Sequence, residues 1–109
     1  MIKKAFKVVF ISEDLEKDFH SLKEDDPIKK AMIRAILDLK ENAFSGIQMP
    51  KRLIPKEYVQ KYYVNNLWKY DLPRGWRLIY TVTAENEVDL ISAILEWFDH
   101  KDYEKRFKY

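Results

Sequence analysis

Residues 67–83 constrain this chain more than any other stretch. Leu67 to Leu72 and Trp76 to Thr83 flank Pro73-Arg74-Gly75. Proline presets φ for the first turn residue of a type I turn, and glycine accepts the left-handed position that completes a three-residue hairpin loop. That loop length sets the register: Leu72 faces Trp76, Asp71 faces Arg77 and Lys69 faces Ile79. Trp68, Tyr70, Leu72, Trp76, Leu78 and Tyr80 then share one side, while Lys69, Asp71 and Arg77 share the other. A two-residue loop would place Arg77 among the aromatics, so the pattern itself selects three.

The rest of the chain supplies what covers the apolar side. Ala5 to Ile11 alternates and reads as a first strand. Ser12 caps a helix carrying Leu15, Phe19 and Leu22, with His20 off that stripe as a surface residue. Asp26-Pro27 starts a second helix, whose Ile28, Ala31, Met32, Ala35, Ile36 and Leu39 form a broad face. Phe44 to Pro55, with Gly46 and Pro50, reads as a loop, and Pro55 opens a short helix to about Tyr63. Val88 to Phe98 reads as the last strand. If Thr83 opposes Val88, then Ile91, Ala93, Leu95 and Trp97 join the covered side, and Ser92, Ile94, Glu96 and Phe98 lie beside Arg77. The expected fold is a single α+β domain over 1–109: an N-terminal strand and helix hairpin on one face of a small, twisted, mainly antiparallel sheet, with a short C-terminal helix. The other face is expected to be open and to bear polar groups.

Composition limits the function classes. At 109 residues, 47% hydrophobic and 35% charged, the chain suits one soluble domain and not a disordered one. No uncharged run exceeds the nine residues of Asn42 to Pro50, and the apolar run Leu90 to Leu95 is shorter still, far below the roughly 20 residues of a membrane helix; Met1-Ile2-Lys3-Lys4 does not open a signal segment. Without cysteine there is no disulfide, thiol nucleophile or thiolate metal site, and a cytoplasmic protein is the simplest reading. With His20 and His100 as the only imidazoles, no metal or other cofactor is expected. Charge is uneven. Lys51, Arg52, Lys56, Lys61, Lys69, Arg74 and Arg77 face only Glu57 and Asp71 between Gln48 and Thr83, interleaved with Tyr58, Tyr62, Tyr63, Trp68, Tyr70 and Trp76. Such a segment suits phosphate contact and base stacking, or simply a solvated surface over an aromatic core.

The stretch from Leu67 to Tyr80, a leucine-ended strand, a glycine turn and then Trp76-Arg77-Leu78-Ile79-Tyr80, resembles the central signature of the RelE/ParE superfamily of toxin–antitoxin toxins. The ending Asp99-His100-Lys101-Asp102-Tyr103 is similar to that family's polar C-terminal cluster. The resemblance implies a small cytoplasmic toxin, neutralised by a cognate antitoxin, that in the RelE branch cleaves mRNA on the ribosome without metal. It places Arg77 at the scissile phosphate and Lys69 on the preceding strand, with His100 and Tyr103 near the C-terminal catalytic positions. Asp71 departs from the pattern, since active members often carry a second lysine there. ParE-like members, which inhibit gyrase, share the fold without the nuclease residues; such a non-nuclease module, or an inactive interaction protein, is the alternative.

Each candidate residue has a structural reading beside its functional ones. Arg77 can hold charge developing on a phosphorane or pair with Asp71 across the hairpin. Lys69 can hold a neighbouring phosphate, serve as a base, or be a solvated strand lysine. His100 is the residue type suited to acid–base work near pH 7, or the start of a tail helix that Asp99 would cap. Tyr103 can donate a proton, stack on a base, or pair with Phe107 at i and i+4. Lys51, Arg52, Lys56, Arg74 and Arg106 are candidate RNA-backbone contacts or solubilising charges.

Overall fold

The protein is described by a computed structural model over residues 5–86 and 89–107. Strand β1 (Ala5–Phe10) leads into helices α1 (Glu13–Ser21) and α2 (Pro27–Glu41). A two-residue strand β2 (Ile47–Gln48), a 3₁₀ turn at Lys51–Leu53 and helix α3 (Lys56–Tyr62) follow, so the expected loop between Phe44 and Pro55 contains some regular structure. Strands β3 (Trp68–Asp71), β4 (Arg77–Ala84) and β5 (Asp89–Phe98) and helix α4 (His100–Phe107) complete the described chain. The architecture is α+β, with a five-stranded mixed sheet in the order β1-β5-β4-β3-β2. Only β1 and β5 run parallel.

Local signals account for the helix boundaries. Ser12 Oγ accepts the Leu15 N–H at 3.1 Å, and Asp26 Oδ1 accepts the Ile28 N–H at 2.8 Å with Pro27 in the first turn. Each cap satisfies an amide that the helix itself leaves unpaired. Lys29 is buried although charged; its ammonium donates to Leu22 O at 3.1 Å and pairs with Glu24, pinning α2 to the turn after α1.

The hairpin register matches the alternation of the sequence: Asp71 pairs with Arg77, Tyr70 with Leu78, Lys69 with Ile79 and Trp68 with Tyr80. The Leu72 N–H donates to Trp76 O at 2.9 Å, closing the loop. Its turn differs from type I, because Arg74 takes left-handed backbone (φ 60°) as well as Gly75 (φ 78°). Under α1 and α2, Leu72, Leu78 and Tyr80 pack with Phe19, Met32, Ala35, Leu39 and Ile94, and Trp68, Tyr70 and Trp76 close its margin. Each fully buried Met32 or Leu39 contributes about 2 kcal/mol.

Strand β5 departs from the expected register. Thr83 pairs with Ile91, and Val88 lies outside the described residues. Leu78 faces Trp97, Ile79 faces Glu96 and Tyr80 faces Ile94, so Leu95 is the extra residue of a β-bulge. Simple alternation therefore fails along this strand. Ser92 and Ile94 sit on the helix side, next to Val8 and Phe10, whereas Ile91, Ala93 and Leu95 turn to the other side. Trp97 does lie under the helices, and Glu96 and Phe98 do lie on the side of Arg77.

That second side is not open. Tyr58 from α3 and Tyr103 and Phe107 from α4 pack with Met49, Val64, Leu67, Ile79, Leu95 and Phe98 into a second core. The bulge accounts for the covered face: it swings Leu95 beside Ile79, Leu67 and Phe98, and an apolar patch of that extent is stable only when covered. Two helices too short to persist alone are held by that burial.

Candidate functional site

The candidate residues gather where α4 meets the loop end of the β3–β4 hairpin. Asp99 Oδ1 accepts the Asp102 N–H at 2.9 Å and so caps α4; the strand stops at Phe98 and does not carry His100 onward as an extended residue. Capping turns the chain so that Tyr103, only 2% exposed, lays its ring against the second core, 4.7 Å from that of Phe107. The pair packs as its i, i+4 spacing suggests, so this phenol ring is a floor and not an exposed stacking surface.

Over that floor stand two cations. Lys69 Nζ lies 5.5 Å and Arg77 Cζ 5.4 Å from the centre of the Tyr103 ring, both within cation–π range. They come from adjacent strands, Lys69 two residues from Asp71, the pairing partner of Arg77. The guanidinium is already engaged. Its Nη1 donates to Trp76 O at 3.1 Å, and its Nε lies 2.9 Å from Asp71 Oδ1. The Nε contact is a charge pair whose N–H points off line, leaving that buried nitrogen without a hydrogen bond. The partners differ in exposure: the Arg77 side chain is 18% exposed and that of Asp71 53%.

His100 opens α4 one turn before Tyr103, its side chain 59% exposed and its Nε2 2.8 Å from Glu104 Oε1. It stands against the hairpin loop, where a Cβ on Gly75 would come within 3.0 Å of the His100 Cβ. Gly75 thus serves twice, taking positive φ and leaving room for the histidine.

The peripheral basic residues are spread out. Lys51 and Arg52 lie exposed on the 3₁₀ turn, Lys56 begins α3 and Arg74 projects from the hairpin loop. Arg106 is occupied by carboxylates: Nη1 donates to Glu57 and Nη2 donates to Glu96 at 3.0 Å. The buried Tyr58 hydroxyl also donates to Glu96. Burial works against charge on Arg106, but Glu96 and Glu57 outweigh it and hold the guanidinium above its ordinary pKa. Burial, reinforced by Glu96, pushes the Tyr58 phenol up as well.

This Tyr58–Glu96–Arg106–Glu57 network was not legible in the sequence. Its one signal is Glu96, the sole acid between Leu90 and Phe98. Among the described residues, no three or more His, Asp or Glu side chains gather to hold a metal ion, and no helix is long and apolar enough to cross a membrane. In comparisons with protein-family models, curated proteins and solved structures, nothing matches this chain.

Proposed function

We propose that this chain is a toxin of the RelE/ParE type, restrained by a cognate antitoxin protein, that cleaves mRNA on the ribosome without metal. The convergence of Lys69 and Arg77 over the Tyr103 ring carries the reading. In such cleavage the 2′-oxygen attacks the adjacent phosphorus and its proton passes to a base. The bond to the 5′-oxygen then breaks and that oxygen takes a proton, leaving a 2′,3′-cyclic phosphate and a 5′-hydroxyl. Arg77 would stabilise the phosphorane, Lys69 would hold a flanking phosphate, and His100, exposed beside the loop, would exchange protons. Tyr103 would keep the two cations in place from below.

Asp71 is the obstacle, and its magnitude decides whether it blocks the site. An ion pair with a half-exposed partner is worth about 0–1 kcal/mol. A phosphate that contacts both Arg77 and Lys69 competes at that level, and the more exposed carboxylate is free to swing into solvent. The test is cleavage of ribosome-bound mRNA by Arg77→Ala and Asp71→Asn. Arg77→Ala should abolish cleavage with the fold intact, and Asp71→Asn should preserve or raise it. Retained cleavage in Arg77→Ala refutes the assignment.

A second reading, a non-nuclease module on the same fold that inhibits gyrase or only binds a partner, is favoured by the same Asp71–Arg77 contact. Growth arrest with DNA-damage signalling and no new mRNA ends would select it.

A further inference from the structure

Helix α3 ends on an unusual residue. Tyr63 takes left-handed backbone (φ 56°, ψ 33°), and its N–H donates to Val59 O at 3.0 Å. Glycine or asparagine ordinarily fills that position, because a bulky side chain is strained there. Burial offers no compensation: the side chain is 88% exposed, more than any other large hydrophobic among the described residues. Neither packing nor backbone preference explains a tyrosine here, and strain that stability does not require points to function.

The surroundings indicate what the ring meets. Beside it lies a groove of about 240 Å³ whose floor is held by the internally bonded Asn66 and Thr81 and whose exposed rim carries Asn65 and Thr83, an amide and a hydroxyl that suit the donor and acceptor edge of a nucleobase. Thr81 and Thr83 lie on the Arg77 side of β4, four and six residues along it, or about 13–20 Å at ~3.3 Å per residue. That distance corresponds to about four to six nucleotides of a stacked strand.

We infer that Tyr63 is a stacking platform for an unpaired RNA base, several nucleotides from the phosphate at Arg77. The inference rests on the RNA-directed reading above and extends it to a subsite.

The test is fluorescence anisotropy with a labelled single-stranded 15-nucleotide RNA at low salt, together with thermal melting of each variant. Tyr63→Ala and Tyr63→Gly should weaken binding by about 5-fold to 150-fold, and Tyr63→Phe should retain it. Tyr63→Gly should melt at or above the wild-type temperature, since glycine relieves the left-handed strain; a lost base contact is thereby separated from a damaged fold. Unchanged binding in Tyr63→Ala overturns the inference alone. So does wild-type protein that cuts mRNA on ribosomes yet holds no free strand. Wild-type protein that neither cuts nor binds overturns the underlying reading as well.

Discussion

Replacing Tyr80 by phenylalanine removes one oxygen from the centre of the sheet. The Tyr80 hydroxyl donates to Ala43 O at 3.0 Å and accepts the Gly46 N–H at 3.0 Å, and the residue has no exposed surface. Tyr80→Phe orphans both backbone groups. Each buried orphan costs about 1–3 kcal/mol, less a small gain from the more apolar ring, so we expect a net loss of about 2–3 kcal/mol and a melting temperature lower by about 10 °C or more. The loss also reaches the candidate site, because the segment so anchored runs into β2, whose Ile47 pairs with Lys69.

An alkaline arm follows from the same hydroxyl. Burial pushes the Tyr80 phenol up to about 12 from an ordinary value of 10.0, with the Gly46 N–H partly opposing. Its contribution is complete below pH 10, where folded and unfolded chains both keep the proton, and is lost as pH rises to 12 because only the folded chain still holds it. Through this group the wild type should lose up to about 3 kcal/mol across that window. The variant should lose less, retaining the shares of Tyr70, which burial and Asp38 also raise to about 12, and of Tyr58, which burial and Glu96 push up. Urea denaturation at pH 7, 10 and 11.5 measures both arms. A variant within 0.5 kcal/mol of wild type at pH 7, by the scale of ordinary surface changes, refutes the reasoning.

Other perturbations separate the remaining claims. Gly46→Ala would place a Cβ 2.5 Å from Lys69 O and 2.6 Å from the Tyr80 hydroxyl, so it should lower the unfolding free energy by roughly 1–3 kcal/mol. Ser92, fully buried with its hydroxyl unpartnered among the described residues, should tolerate alanine with no loss, or with a gain of up to about 1 kcal/mol in urea titrations. Arg106→Leu strips Glu96 and Glu57 of their cation and should lower the melting temperature by several degrees, about 1–2 kcal/mol. Asp71→Asn should raise affinity for single-stranded RNA by about fivefold, and the difference should shrink as salt is added.

How far the sequence could be read depended on what fixed each register. Between Lys69 and Ile79 a three-residue loop and unbroken alternation left one solution, and the strands adopt it. Along β5 the residues from Leu90 to Leu95 are apolar apart from Ser92, so either side could be buried and nothing marked Leu95 as a bulge. The covered second face was hidden for the same reason. The Tyr103–Phe107 spacing was visible, but which surface those rings would meet depended on the bulge. The gathering of Lys69 and Arg77 followed from the hairpin; the position of His100 did not, because Asp99 ends the strand with a helix cap.

The parallel pairing of β1 with β5 has a consequence for biosynthesis. The first strand must wait for Asp89–Phe98 to leave the ribosome before it acquires its neighbour, and α4, with His100 and Tyr103, emerges later still. Such remote pairing makes folding slow and postpones it until β5 has been made. A nascent chain halted before β5 would hold β1 without its neighbour and Arg77 without the ring beneath it, so an interrupted copy would not assemble the Lys69–Arg77 cluster.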